Sequence, residues 1–444
     1  MTTALITEYE PVFLTGIVEE PQAHRQTLQE YRDKGGYAQL RRILDTMSPA
    51  EALTYVKDSG IRGRGGAGFP AGLKWSFLAP VDGGPRYLAC NCDESEPGTC
   101  KDRYVVEQKP HLLLEGIAIA AYACNIDQAY IYIRGEYFHG ARCLWAAIDE
   151  LCAEGMLGEN AFGKPGFKLY IRVHRGAGAY ICGEESALME SLEGKRGNPR
   201  MKPPFPAVKG LWQRPTVINN VGTLASIPLI FEKGNEWFKS LGREKTSGFL
   251  VYCISGHVKK PGNYELPSKV TLRDLIDVAG GPLDGRELKA VIPGGASMPI
   301  FPLTPEYREK YLDVVMDFEG VRDAGSLLGS AGIIFMDDRT CMVNAAFNIS
   351  HFFKHESCGQ CTPCREGTGW LYKSMSRLVK GKGRKEDIAI LESLAPRITG
   401  RSICALGDAA TGVLSTAIRF FRDEFEYYAE HGKSKVGTSY KTFN

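Results

Sequence analysis

Apolar and polar positions change their rhythm twice along the chain, and the changes divide it into three blocks. A capping box at Ser48-Pro49-Ala50-Glu51, with proline at the first helical position, predicts a helix ending near Gly60. Beyond a glycine-rich stretch over 61–72 the pattern alternates. Arg86–Asn91 reads as a strand, Pro110–Cys124 as a helix, Ala129–Ile133 as a strand, Gly140–Glu154 as a helix, Phe167–His174 as a strand and Glu184–Glu193 as a helix. Short strands separated by helices predict a largely parallel sheet covered on its faces. The polar residues 1–45 ahead of this block are expected to form an arm or peripheral helices.

The rhythm breaks at Pro199–Pro215, which is rich in proline and basic residues but punctuated by Phe205 and Trp212. Residues 248–335 then read as a smaller unit, with a strand at Phe249–Ser255, a turn at Pro261–Tyr264, a helix at Leu272–Ala279 and a strand at Ile333–Met336. From about 340 onward helical apolar spacing takes over, in Leu371–Val379, Asp387–Leu394 and Thr411–Tyr428, and suggests a small bundle.

Composition narrows this picture. With 43% hydrophobic and 24% charged residues among 444, wholesale disorder is excluded. The net charge of +2 supplies no bulk field for nucleic acid or an acidic membrane. The longest apolar run, Ile117 to Cys124, falls far short of the ~18 residues of a membrane span. Glu8 and Glu10 stand where a signal peptide would carry its apolar stretch, so a soluble, unexported chain is expected. Fifty glycines, about 11% against a usual ~7%, point to tight turns or close approach to a ligand. An odd count of 13 cysteines argues against a disulfide framework and for a reducing compartment.

The sharpest chemical signal is His355-Glu-Ser-Cys358-Gly-Gln-Cys361-Thr-Pro-Cys364-Arg-Glu. A C-x2-C-x2-C loop brings three thiolates to one centre, and Cys404 is the only later cysteine able to supply a fourth. A four-iron cluster suits this spacing better than zinc, whose structural sites favour two separated knuckles, and zinc stands as the alternative. The loop runs into an expected helix whose N-terminal N–H groups favour an anionic centre, with Arg365 nearby. His351 and His355 form an H-x-x-x-H pair without the glutamate of a zinc protease, and are read as packing beside the cysteine loop.

Three polar turns carry the remaining signal. Gly63-Arg64-Gly65-Gly66-Ala67-Gly68-Phe69-Pro70 contains G-x-G-x-x-G, but it follows a helix where the dinucleotide fingerprint requires a strand. Its bare N–H groups beside Arg62, Arg64 and Lys74 still form a phosphate cradle. The turns at 175–185 and 91–98 each follow an expected strand, where open α/β sheets bind ligands. Asn91, Asp93, Glu94 and Ser95 suit sugar or ribityl hydroxyls, while the pair Glu184-Glu185 equally suits helix capping.

GRGGAGFPAGLKW (63–75), CNCDESEPGTCKDR (90–103), RGAGAYICGEESAL (175–188), NPRMKPPFPA (198–207), PTVINNVGTLA (215–225) and ESCGQCTPCREG (356–367) together closely resemble one family. It is the NADH-binding flavoprotein subunit of NADH:quinone oxidoreductase, respiratory complex I, and the match runs from about residue 30 to about 430. The resemblance implies a Rossmann-like FMN/NADH α/β domain with its N-terminal arm over 1–247. It further implies a ubiquitin-like, SLBB-type β-grasp domain over 248–335 and a helical bundle with one 4Fe–4S cluster over 336–444.

By the family pattern, FMN is held by Gly63, Arg64, Gly65, Gly66, Lys74, Asn91, Asp93, Glu94 and Ser95. Tyr180, Gly183, Glu184, Ile218, Asn219, Asn220 and Thr223 complete that set. NADH is held by Gly66, Ala67, Gly68, Phe69, Phe77, Glu96, Glu185, Lys202 and Phe205, the three phenylalanines flanking adenine. The cluster sits on Cys358, Cys361, Cys364 and Cys404. Glu185 near the adenosine ribose would accept a 2′-hydroxyl hydrogen bond and repel a 2′-phosphate, favouring NADH over NADPH. The implied reaction is hydride transfer from NADH to FMN, then single electrons through the cluster towards quinone, with no side chain needed as acid or base. The implied partners are a thioredoxin-like 2Fe–2S subunit and a larger iron–sulfur subunit of the peripheral arm. They place the chain on the cytoplasmic face of the inner membrane, with no direct membrane or nucleic-acid contact.

Two positions depart from the family. Cys92 stands where alanine is more frequent, and Gly222 sits in NNVGT where the pattern is usually NNVET, which predicts an altered flavin environment. The diaphorase subunit of an NAD-reducing hydrogenase or formate dehydrogenase is the nearest rival, but commonly brings further iron–sulfur domains. A ferredoxin:NAD reductase would bring two longer cysteine runs. A zinc-bearing, non-catalytic scaffold is the rival from another class.

Overall fold

Strand β1, Tyr87–Cys92, shows why the alternating block forms a two-faced sheet. Leu88, Cys90 and Cys92 turn into one core with Leu113, Ile117 and Leu224. Ala89, between them, joins a second core with Leu188, Ile218 and Phe353. Alternate residues therefore serve opposite layers, as the twofold period of a strand requires. The computed structural model describes residues 6, 8–20, 23–80 and 83–437. The outermost parts of the expected first and last blocks, 1–5, 7 and 438–444, lie outside the described residues.

β1 pairs in parallel with β2, Gln128–Ile133, and with β4, Thr216–Asn220, while β2 pairs in parallel with β3, Tyr170–Arg175. The order is β3-β2-β1-β4. The winding direction reverses between β1 and β4, so a crevice opens at their carboxyl ends.

The helix Pro110–Ala123 between β1 and β2 is buried along its whole length. It lies against Val221–Lys233, where a Cβ on Gly116 would fall 2.0 Å from the Leu224 carbonyl oxygen, so only glycine permits this approach. The expected N-terminal arm packs as helices Leu28–Asp33 and Ala38–Thr46. Glu115 ties it down by accepting from Tyr31 Oη (2.5 Å), Tyr37 N (3.0 Å) and Leu40 N (3.1 Å).

The second sheet is mixed: β5, Phe249–Gly256; β6, Gly262–Pro267; β7, Leu288–Ile292; β8, Phe301–Pro302; and β9, Gly332–Asp337, in the order β6-β5-β9-β7-β8. Only β5 and β9 pair in parallel. The turn expected at Pro261–Tyr264 is in fact the start of β6, because the chain has already reversed over the loop 257–261, where Val258 bridges Pro282. Glu265 on β6 accepts from Tyr9 Oη (2.6 Å) and from the N–H groups of Val12, Phe13 and Leu14, anchoring the N-terminal segment to this sheet.

Helices Met342–Glu356, Thr362–Val379, Lys385–Ile398, Leu406–Phe420 and Arg422–His431 form the C-terminal part. Their core includes Phe347, Leu371, Met375, Leu391 and Phe425, and continues onto Ala290 and Ile292 of β7. Each fully buried side chain of this size contributes about 1.5–3 kcal/mol. The single helix expected over Thr411–Tyr428 is broken at Phe421, whose backbone leaves the helical region (φ −132°, ψ 36°) while its ring is buried.

Candidate functional site

The crevice at the ends of β1 and β4 gathers most of the residues expected to hold a flavin. After β1, Asn91 Nδ2 donates to Gly183 O (2.7 Å), Asn91 Oδ1 accepts from Asp93 N (3.1 Å), and Ser95 Oγ donates to Asp93 Oδ1 (2.7 Å). Burial raises the Asp93 carboxyl to about 7. After β4, Asn219 Oδ1 accepts from Trp75 Nε1 (2.7 Å), and Asn220 bonds Asp102 Oδ2 (2.5 Å) while capping the next helix at Gly222 N (2.9 Å). Thr223 Oγ1 accepts from Arg64 N (2.8 Å) and pins the glycine loop to that helix.

The loop lies between helices Pro49–Asp58 and Ala71–Ser76, so it is not the strand-to-helix turn of the standard fingerprint, as its sequence context implied. Gly63 N bonds Phe69 O (2.8 Å), whereas among the described residues the N–H groups of Gly65 and Gly66 donate to no protein acceptor. A Cβ on Gly65 would stand 3.1 Å from Asn220 Cβ and fill the space between loop and β4. Free backbone donors in a cradle kept open by glycine fit a phosphate-bearing ligand.

Beside the cradle, Glu185 Oε2 meets Lys74 Nζ (2.9 Å) and Glu185 Oε1 meets Lys202 Nζ (2.7 Å). Burial alone would raise the Glu185 carboxyl, but the two lysines outweigh it and bring it down to about 2. Lys202 also reaches Glu184 Oε1 (3.0 Å). The other oxygen of Glu184 caps its helix at Ser186 N (2.8 Å) and Ala187 N (3.0 Å), so the capping reading of the acidic pair holds for Glu184. Phe69, Phe77 and Phe205 are exposed by 45%, 53% and 57%. The rings of Phe69 and Phe77 lie 6.1 Å apart, and an Ala79 N–Ala207 O bond (2.9 Å) ties the Phe77 and Phe205 segments together. Aromatic faces open to solvent beside a cationic cradle suit a planar ring.

Some of the expected contacts have other work in the chain. The Glu94 carboxylate is buried and accepts from Asp102 N (2.8 Å), Arg103 N (3.1 Å) and Tyr137 Oη (3.0 Å), which holds the start of helix Lys101–Gln108. Glu96 accepts from Tyr180 Oη (2.6 Å), Ser297 N (2.8 Å) and Ser297 Oγ (2.7 Å), joining the crevice to the mixed sheet. Burial raises its carboxyl above the ordinary range. Trp75, Asp102, Ser297 and Glu356, whose carboxylate accepts from Tyr180 N (3.0 Å), were not singled out from the sequence. None sits in a spacing that marks it, because each is brought in by a separate element.

Cys358, Cys361, Cys364 and Cys404 line one cavity, together with Ile181, Pro199 and Leu406. Cys361 caps helix Thr362–Val379 and Cys404 directly precedes helix Leu406–Phe420, so both helices open toward the cavity. Among the described residues no three His, Cys, Asp or Glu side chains converge as a single ion demands. Four thiols around one pocket, not drawn together on a single point, fit a polynuclear cluster rather than one zinc ion. Burial holds the Cys404 thiol up at about 11, so a cationic centre is needed to keep it ionised. Arg365 bonds Gly359 O (3.1 Å) and Glu366 (2.9 Å), bracing the loop. His351 stacks on Tyr372 at 5.2 Å, the packing role expected of it, whereas His355 is largely exposed beside Glu356 and does not pack against the cysteine loop.

One short turn, Tyr180–Gly183, spans the two sites: Ile181 walls the cluster cavity, and Gly183 O is held by Asn91 in the crevice.

These features define a class, an α/β protein with a nucleotide-type crevice beside a four-cysteine cluster pocket. The Nuo51 FMN-binding domain matches residues 56–229, the SLBB domain residues 251–301, and the NADH-ubiquinone oxidoreductase-F iron-sulfur binding region residues 344–428. The NADH-quinone oxidoreductase F 2 protein of Rhizobium meliloti is 51% identical over 423 residues, covering 95% of this chain and 98% of the relative. The NADH-quinone oxidoreductase F protein of Streptomyces coelicolor is 50% identical over 400 residues, 90% of this chain and 87% of that one. An NAD+-reducing [NiFe]-hydrogenase, solved in its H2-reduced state, superposes with a TM-score of 0.80 at 34% identity, over 94% of this chain and 67% of that chain. The chain belongs to the F family of NADH-quinone oxidoreductase subunits.

Proposed function

We propose that this chain is the NADH-oxidising subunit of a complex I-type NADH:quinone oxidoreductase, carrying FMN and one 4Fe–4S cluster. The observation that carries the reading is the Tyr180–Gly183 turn, which puts a four-thiol cavity and a phosphate-cradling crevice on one short segment. FMN held in this crevice would supply hydride acceptance from NADH and single-electron release toward a cluster on the four thiols.

The chain's own residues bind and orient. The N–H groups of Gly65 and Gly66, with Lys74, hold phosphate; Asn91, Asp93, Asn219 and Asn220 hold the flavin's sugar-like chain and ring edge. Gly63, Arg64, Ser95, Gly183, Ile218 and Thr223 shape that crevice, and Glu94, Glu184 and Tyr180 hold its walls in register. Gly66, Ala67 and Gly68 let the nucleotide approach the backbone, and Phe69, Phe77 and Phe205 stack its adenine. Glu96 and Lys202 flank it, and Glu185 meets the ribose hydroxyls. Cys358, Cys361, Cys364 and Cys404 ligate the cluster.

On this reading residues 1–247 form the FMN/NADH domain, 248–335 a ubiquitin-like β-grasp, and 336–444 the cluster bundle. The mixed sheet with the helix Leu272–Val278, joined by the shorter helices Arg308–Leu312 and Phe318–Asp323, supports the second of these. A cluster at one end of the chain requires an onward acceptor, so a thioredoxin-like 2Fe–2S subunit and a larger iron–sulfur subunit of the peripheral arm are the proposed partners. Among the described residues no helix is long and apolar enough to cross a membrane. A membrane link through those partners, at the cytoplasmic face, follows.

The test is an anaerobic visible spectrum of the chain with its small partner, before and after NADH and separately NADPH, with FMN, iron and acid-labile sulfide assayed on the same sample. NADH should bleach a flavin and iron–sulfur spectrum that NADPH barely changes. A colourless, zinc-containing protein indifferent to NADH would refute the proposal. The TM-score of 0.80 to the hydrogenase keeps a diaphorase role as the second reading, and co-purification with hydrogenase subunits would favour it.

A further inference from the structure

Behind the glycine loop lies a small cavity of about 20 Å³ that shares only Arg64 with the residues assigned to FMN, and none with those assigned to NADH. Arg64 is 7% exposed, and its Nε and Nη1 are buried without a hydrogen-bond partner. The third nitrogen, Nη2, reaches only Ser247 O at 3.5 Å, and the guanidinium lies 6.0 Å from the Phe238 ring. An uncompensated buried cation is costly, and a protein retains one where a counter-charge answers it.

No side chain in the cavity wall does so. Asp102 is bonded to Lys101 Nζ (3.0 Å) and to Asn220 Nδ2 (2.5 Å), and Arg62 nearby is paired with Glu319. Lys101 is answered by Asp102 and, just behind the wall, by the buried Glu94 carboxylate, so Arg64 is the cation of the lining left without a counter-charge. Gly222 borders the remaining space without intruding on it: a Cβ there would lie 3.5 Å from Arg64 Cβ and only 3.2 Å from both Asp102 Oδ1 and Asn220 Oδ1. The helix Val221–Lys233 begins at this wall and presents its positive end.

We propose that this chain binds a small monovalent anion, a halide or a short carboxylate, in the cavity between the Arg64 guanidinium and Gly222. One negative charge balances the lining, whereas a phosphate dianion would leave surplus charge among Phe249, Leu250, Val251 and Leu328. The anion lies behind the loop and β4 residues of the crevice, because Arg64 N bonds Thr223 and Asn220 caps the helix of Gly222. It acts there as a removable counter-ion.

The test uses the FMN- and cluster-loaded chain. Crystals soaked in sodium bromide should show an anomalous peak within hydrogen-bonding distance of Arg64 Nε and Nη1. At constant ionic strength, made up with sodium HEPES, bromide or formate should raise the melting temperature by roughly 2 °C. A rise with bromide assigns a halide, and a rise with formate alone a carboxylate. In Gly222→Glu the side-chain carboxylate should remove both the peak and the salt response. No peak together with equal melting temperatures in all three salts overturns the proposal, as does a peak that persists in Gly222→Glu. The wild-type measurements decide by themselves if the variant does not fold, and none of these readouts depends on NADH oxidation.

Discussion

Three of the four thiols in the cluster cavity come from one unbroken stretch, Cys358–Cys364, and the fourth stands 40 residues on, just ahead of helix Leu406–Phe420. The crevice across the Tyr180–Gly183 turn is assembled instead from the glycine loop, the ends of β1 and β4, the start of Glu185–Leu192 and a loop of the mixed sheet. Its polar side chains mostly bond one another: Asn219 with Trp75, Asn220 with Asp102, Glu185 with two lysines, Glu96 with Tyr180 and Ser297. The difference teaches that a site made by sequence-local ligands is all-or-none, while a site made by mutual tertiary contacts is tunable. On the proposed reading, removing one contact in the crevice should shift an equilibrium, whereas removing one thiol should remove the cluster.

The largest effect is therefore expected from Cys404→Ser. Its iron and sulfide content should collapse and electron delivery beyond the flavin should cease, while anaerobic NADH still bleaches the flavin. Loss of flavin reduction in the same variant would show that the two sites are not separable. Glu185→Gln comes next. It leaves Lys74 and Lys202 without their shared carboxylate, so the ratio of kcat/KM for NADPH over NADH should rise about tenfold, equivalent to ~1.4 kcal/mol. An unchanged ratio would mean that Glu185 does not face the ribose.

A graded, pH-dependent effect is expected at Asp93. Its carboxyl titrates near 7 in the folded chain against an ordinary value of 3.8, so folding retains a proton that the unfolded chain has released. That contribution to stability is complete below about 4 and is lost as the pH rises to 7. Asp93→Asn should flatten the decline in stability across that window in urea titrations; an identical slope would place Asp93 in a more hydrated setting. Arg365→Ala marks the small end. Arg365 is half exposed, and losing its bond to Gly359 O should cost no more than about 1 kcal/mol, with the cluster retained in iron and sulfide assays.

How legible each part was follows the same division. The cysteine triplet announces itself because its ligands and their spacing lie in one short segment. The capping box at Ser48–Glu51 forms as read, with Ser48 and Glu51 bonded reciprocally, because capping is a local event. β4 and the helix Val221–Lys233 escaped the pattern. Thr216–Asn220 is almost wholly buried and shows no alternation, and the helix carries Pro228 within a nearly uniform apolar run. Together they create the β1/β4 crevice, so the site's location was hidden while most of its residues were in view. The Glu94 carboxylate illustrates the limit: its motif suggests a ligand contact, yet three donors from two other elements hold it.

From the order of its residues alone this chain specified an α/β block, a smaller sheet, a helical end and a closely spaced cysteine triplet, while its family was legible in the resemblance of whole segments. The first four rest on periodicity, capping and cysteine spacing, all of which act over a few neighbouring residues. The meeting of Arg64 with Gly222, of Glu96 with Ser297, and of Ile181 with the four thiols had to await folding. Such contacts join residues far apart in the chain. Burial and strand order bring them together, and no short-range pattern encodes either.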